Sequence, residues 1–217
     1  MCTLYSHTTN VEAIRRLFKT NRDDLGNAEP QRAIFPDGIG TVVRVAEDGK
    51  REAIRMRWGF PKLNKPGATI NVNMRNLDSS YWRPWQKPEN RCLVPVTSFC
   101  EYDARTKNPK VPVWFAMSPE RPLFAFAGVW RPWKGTRGTK DSPVEGEHLL
   151  YAFMTSTPNK LIAPYHPKAM PVCLTTAEEQ DRWLRAPIDE LESIQQPGPE
   201  DMLQVVASGL KFDPPEA

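Results

Sequence analysis

Polar and apolar residues alternate through Gly40–Ala46 and again through Glu52–Trp58, on either side of Glu47-Asp48-Gly49, a pattern that predicts a β-hairpin. Side chains two apart share a strand face, so Arg55 and Arg57 project together. Ahead of the hairpin, Val11, Ile14, Leu17 and Phe18 recur at helical spacing behind Thr9-Asn10-Val11-Glu12, which reads as a capping box. A helix is therefore expected over 10–19, after an extended segment at 2–6. The polar stretches 20–32 and 61–68 read as loops. Residues 69–76 read as an extended segment rich in amides, with Asn71, Asn73 and Arg75 on one face. Such a face is a poor core, and is either a site or an edge where Asn side chains bond their own backbone.

Arg91–Tyr102 is apolar as far as Phe99, and Val113–Met117, Leu123–Trp130 and Leu149–Thr155 supply three more buried strands. A short helix is expected at 158–163, then a proline-bounded turn carrying His166 and a strand through Val172. Thr176 to Glu179 forms a second capping box, opening a helix to about Leu184. A third helix over 187–195 and a strand at Met202–Ala207 precede a loose end from Phe212. Together these elements imply a single domain, 1–217, with a sheet-rich core that closes or nearly closes on itself.

Composition narrows this picture. The 22 prolines lie between short apolar runs and mark turns rather than disorder, and no Gly/Ser-rich linker divides the chain. No early apolar run resembles a signal peptide and none approaches a membrane span, so a cytoplasmic monomer with reduced cysteines is expected. Cys2, Cys92, Cys100 and Cys173 match no zinc spacing with His7, His148 and His166, so neither a metal nor another cofactor is expected.

The net charge of +3 identifies no partner, but its distribution is uneven. Lys50–Lys65 holds six basic residues, Arg55 and Arg57 among them, against the single acid Glu52, with Trp58 and Phe60 interspersed. Residues 131–140 hold four basic groups and no acid, and Arg83 lies between Trp82 and Trp85. Cations interleaved with rings suit a single nucleic-acid strand, whose phosphates pair with the charges while bases stack. Solvated strand faces with snorkelling side chains give the same pattern.

The chemistry centres on Cys2. Directly after the initiator Met, it becomes a 1,2-aminothiol once Met1 is removed. Such a pair captures an aldehyde through nitrogen, then sulfur, closing a five-membered thiazolidine; a free α-amine, with a pKa near 7.7–8.0, is partly unprotonated at neutral pH. A cysteine at position 2 is also, by itself, incidental. Glu101, delivered at the end of an apolar run, either faces solvent at a sheet end or sits in a site with a raised pKa. His166, between Pro164 and Pro167, has the fixed backbone a general acid or base needs, and is also consistent with an ordinary loop.

Met1-Cys2, Trp58-Gly59-Phe60-Pro61, Asn73 with Arg75, Phe99 with Glu101, and His166 ahead of Met170-Pro171-Val172 occur in this order. In these motifs the chain resembles the SOS response-associated peptidase (SRAP) family over about residues 2–185. The resemblance implies an α+β fold, a single domain on a mainly antiparallel, curved, barrel-like sheet with peripheral helices, its core at about 2–185 and a C-terminal helix, strand and loose tail at 186–217; it implies a protein that binds single-stranded DNA, cross-links covalently to abasic sites and removes residues preceding its cysteine. It makes Cys2 the nucleophile, Asn73 the group positioning the amine or sugar, Glu101 the acid/base, and His166 the group acting on the deoxyribose oxygen. It makes Arg75 a phosphate contact and Pro36, Trp58 and Tyr102 a wedge against the bases. The chain departs from the family pattern in having Thr3-Leu4 after the cysteine, Tyr102 where a Trp is common, and a turn one residue longer after His166, in which Lys168 would replace an Arg. Two other readings stand beside this one: a thiol hydrolase using Cys100 with His166, and a non-covalent single-strand-binding module.

Overall fold

The computed structural model describes residues 2–62, 70–139 and 141–214. The chain enters through β1 (Tyr5–His7) and α1 (Val11–Phe18). The helix cap is Asn10, whose Oδ1 accepts from the Ala13 N–H at 2.9 Å, one residue later than the expected box at Thr9. The short strands β2 (Arg22–Asp23) and β3 (Gln31–Ile34) lead to the expected hairpin, β4 (Ile39–Val45) and β5 (Arg51–Trp58), whose turn closes with the Gly49 N–H donating to the Ala46 carbonyl at 2.9 Å. The expected loop at 61–68 lies outside the described residues from 63 on. On either side of it, β6 (Phe60–Pro61) pairs with β7 (Ile70–Asn71), and β8 (Asn73–Met74) follows.

The apolar run after residue 91 divides into β9 (Arg91–Val96) and β10 (Ser98–Tyr102), which join different sheets. β11 (Pro112–Ala116), β12 (Phe124–Gly138) and β13 (Pro143–Ser156) follow. The last two run well past the expected strands, because residues 131–138 and 143–150 form a two-stranded arm, in a register continuous from Gly128 opposite Phe153 to Gly138 opposite Pro143. The helix expected at 158–163 is absent: one turn closes from the Ala163 N–H to the Asn159 carbonyl at 2.9 Å and another from the His166 N–H to the Ile162 carbonyl at 2.9 Å, and Pro164 between them has no N–H to continue the ladder. After β14 (Met170–Pro171) and β15 (Cys173–Leu174), α2 (Ala177–Arg185) opens on the expected box, Thr176 with Glu179. α3 (Leu191–Ile194) and β16 (Gln204–Ser208) complete the order.

β5, β4, β9, β12 and β13 are neighbours in turn, and the ring closes where β13 runs parallel to β5, with Tyr151 opposite Trp58. The second sheet, β16-β11-β10-β1-β3, lays its inner face over this barrel. Strand parity follows: Met56, Trp58, Val94, Phe126, Tyr151 and Phe153 point inward and meet Tyr5, Phe99 and Phe115 from the second sheet. The outward positions Val43, Ala53, Leu93, Ala127 and Ala152 are covered by Ile14 and Phe18 of α1 and by Trp183 and Leu184 of α2. Gly40 is required beneath a pair of tyrosines, since a Cβ there would stand 2.4 Å from both the Tyr5 and Tyr151 hydroxyls, which are hydrogen-bonded to each other. The tail is not loose throughout: Asp213 is wholly enclosed, because buried donors surround its carboxylate.

Candidate functional site

β1 runs antiparallel to β10, with Ser6 opposite Ser98 and the Cys100 N–H donating to the Leu4 carbonyl at 2.9 Å. This register carries the start of the chain along β10 towards Glu101. Cys2 lies in the interior cluster with Val72 and Phe99, only 1% exposed, and its thiol reaches the Leu4 carbonyl at 3.5 Å and the Cys100 carbonyl at 3.9 Å. Burial above all, and then the negative charge of Glu101, raise the thiol well above its usual range. The sulfur is therefore held protonated.

Asn73 comes from the other side. β8 pairs with β13, Asn73 opposite Phe153, which points the amide inward, where Nδ2 donates to the Cys2 carbonyl at 3.1 Å. Its Oδ1 is buried with no hydrogen-bond partner among the described residues. Glu101 is 2% exposed, its Oε1 is likewise buried without a partner, and burial pushes its carboxyl up to about 8. Two orphaned buried oxygens beside Cys2 are costly to keep, as native proteins pair nearly all such atoms.

His166 reaches the same region through its turn. The Ala104 N–H, just beyond β10, donates to the Tyr165 carbonyl at 2.9 Å, and the Arg105 guanidinium lies 4.5 Å over the Tyr165 ring. His166 Nδ1 is engaged within the turn by Ala169, 3.1 Å from its N–H and 2.7 Å from its carbonyl. Partial burial, with the charges of Lys168 and Lys110, holds the imidazole below its usual value. Arg75 braces this turn, donating to the Lys168 carbonyl at 3.0 Å and to the Ser156 carbonyl, while its side chain stays exposed. Lys168 is exposed on the same turn.

The expected wedge separates into three places. Trp58 is corrected to a core residue: it is fully buried, stacks on Phe153 at 5.1 Å and donates from Nε1 to the Val72 carbonyl, so no base reaches its face. Tyr102 is 36% exposed, on the strand face opposite Glu101. Pro36 lies just past β3 and, since Tyr5 is opposite Ile34, on the side where Cys2 to Leu4 enter. There it lines a groove of about 500 Å3 with Phe35, Ile39, Arg57 and Val144. Phe35 and Ile39 escaped the sequence reading, although an exposed Phe ahead of Pro36-Asp37-Gly38 is a signal for such a groove. Arg57 donates to the Asp37 carbonyl at 2.7 Å, whereas Arg55 is exposed and donates to the Leu25 carbonyl at 3.0 Å.

Cys100 packs with Leu4 and Trp114 on the face away from Cys2, and burial pushes its thiol up to about 12. Among the described residues no group of three or more His, Cys, Asp or Glu side chains is placed to hold a metal ion, and no helix is long and apolar enough to cross a membrane.

Residues 1–208 match the family model described as SOS response associated peptidase (SRAP). The abasic site processing protein YoqW of Bacillus subtilis is 29% identical over 202 residues, covering 87% of this chain and 84% of that protein. The abasic site processing protein YobE of the same organism is 27% identical over 168 residues, 73% of this chain and 70% of its own. A crystal structure of a protein from Bordetella bronchiseptica superposes with a TM-score of 0.73, covering 96% of this chain and 98% of that one at 23% identity, a likeness of fold.

Proposed function

The chain belongs to the SOS response associated peptidase family, and on that premise we propose that it processes abasic sites in single-stranded DNA by capturing them covalently on Cys2 after Met1 is lost. The observation that carries this reading is the orphaned, proton-holding carboxyl of Glu101 beside the buried cysteine. The ring-opened abasic sugar is an aldehyde. Its carbon is attacked by the unprotonated Cys2 amine, and a proton passes from the nitrogen to the new alkoxide to give a carbinolamine. Glu101, holding its own proton, gives it to the hydroxyl that leaves as water and takes one back from the nitrogen, giving an imine. The thiol then adds to the imine carbon and its proton passes, through Glu101, to the ring nitrogen. The product is a thiazolidine, which removes the imine that would promote β-elimination and strand breakage.

The partners take ordinary roles. Asn73 holds the Cys2 carbonyl and so orients the amine. His166, its Nδ1 engaged in the turn, delivers a proton from the other ring nitrogen to the deoxyribose oxygen as the sugar opens. Arg75 and Lys168 offer charge to the backbone phosphates at the rim, and Pro36 and Tyr102 present surface to the flanking bases. The same Cys2 and Glu101 pair also serves as the autopeptidase that frees the amine by cleaving the Met1–Cys2 bond.

The test is a denaturing gel of the protein incubated with a single-stranded oligonucleotide bearing one abasic site. The wild type leaves a shifted band, Cys100→Ser leaves the same band, and Cys2→Ala leaves none. A band that survives Cys2→Ala but not Cys100→Ser would transfer the chemistry to Cys100. Native shifts without any denatured band would reduce the protein to a binding module.

A further inference from the structure

The carboxylate of Asp213, near the end of the described chain, has no solvent exposure. It accepts from the Ser6 hydroxyl at 2.9 Å and the Ser98 hydroxyl at 2.7 Å, both on Oδ2, and from Arg121 Nε at 2.9 Å on Oδ1. Its backbone is held as well: the Asp213 N–H donates to the Arg32 carbonyl at 3.0 Å, and Arg32 Nε donates to the Asp213 carbonyl at 2.6 Å. Upstream, Trp114 Nε1 donates to the Leu210 carbonyl at 2.8 Å. One tail residue thus ties β1, β3, β10 and the turn at Arg121 together, and leaves none of these buried groups to water.

Where it ties them matters. Ser6 and Ser98 are directly opposite each other, and the chain runs from this pair back to Cys2 along β1 and on to Glu101 along β10. A slip of one residue would turn the strand over and present the wrong face to the interior. β1 has only three residues and its register is already irregular on the β3 side, between Tyr5 and His7, so the strand alone fixes its position weakly. We propose that Asp213 is a positioning residue for the reaction at Cys2: the C-terminal tail is a latch that pins the Ser6–Ser98 pair and so holds the amine and thiol against Glu101. This rests on the reading of Cys2 and Glu101 given above. The latch touches neither DNA nor the reacting atoms, so its loss changes the chemical step and leaves DNA binding alone.

The experiment compares full-length wild type with Asp213→Asn in two measurements. One is the single-turnover rate of cross-linking against the concentration of abasic oligonucleotide; the other is amide hydrogen exchange of a peptide covering Leu4–His7. The variant is expected to lose at least tenfold in maximal rate, to keep its half-saturating DNA concentration within twofold, and to exchange at least tenfold faster at Leu4–His7 with the peptide over Thr41–Trp58 unchanged. A maximal rate within twofold of wild type, or unchanged exchange at Leu4–His7, overturns the latch. If Asp213→Asn does not fold, the paired change Ser6→Ala and Ser98→Ala decides by the same criteria, since it keeps the Asp213–Arg121 ion pair. A wild type that forms no cross-link counts against the proposed function; hydrogen exchange then decides the latch by itself.

Discussion

Glu101 and His7 are buried ionisable groups with opposite consequences for stability. Glu101 keeps its proton to about 8 in the folded chain, against an ordinary 4.5, so stability falls as pH rises through that window. The cost at high pH is of the order of 5 kcal/mol. Glu101→Gln should therefore melt at a higher temperature than wild type at pH 8 and at nearly the same temperature at pH 4, while cross-linking slows by about 100-fold or more. His7 is 2% exposed with both ring nitrogens unpartnered among the described residues, and burial lowers it to about 4 from 6.5. The unfolded chain takes up that proton first as pH falls, so stability is lost between 6.5 and 4. His7→Leu should flatten the acid limb of a melting-temperature profile. At this scale Glu101 was legible, because a carboxylate ending an apolar run has few destinations. Trp58 was not: alternation assigns it to a face, and only closure of the barrel decides that the face is the inside.

Local pattern identified most elements and misjudged their ends. The β4–β5 hairpin and the α2 cap matched because turn and cap residues act over a few positions. The cap of α1 fell on Asn10 instead of Thr9, both good acceptors, and Asn10→Ala should cost about 1 kcal/mol in chemical denaturation. The arm of β12 and β13 went unseen because its residues are mixed polar and aromatic, and cross-strand pairing such as Trp133 stacked on His148 at 5.8 Å stands in for burial. Asn73 was legible as an odd residue for a strand. Its inward aim depends on parallel pairing with β13, which no local signal encodes.

The whole molecule is set by contacts distant in sequence: the parallel β5–β13 closure, and the two ends of the chain meeting at Ser6 and Asp213. Neither leaves a local trace, which is why the tail read as loose. The barrel interior tolerates little added volume at Gly40, so Gly40→Ala should destabilise by about 1–3 kcal/mol, and a thermal melt checks it. The central claim is that the terminal amine and thiol of Cys2 close one ring on one sugar carbon, and the mass of the unreduced adduct tests it most directly. The account predicts an adduct equal to the protein lacking Met1 plus the oligonucleotide, less one water, formed without borohydride and absent with Cys2→Ala. An adduct on protein that retains Met1, or one seen only after reduction, would contradict it.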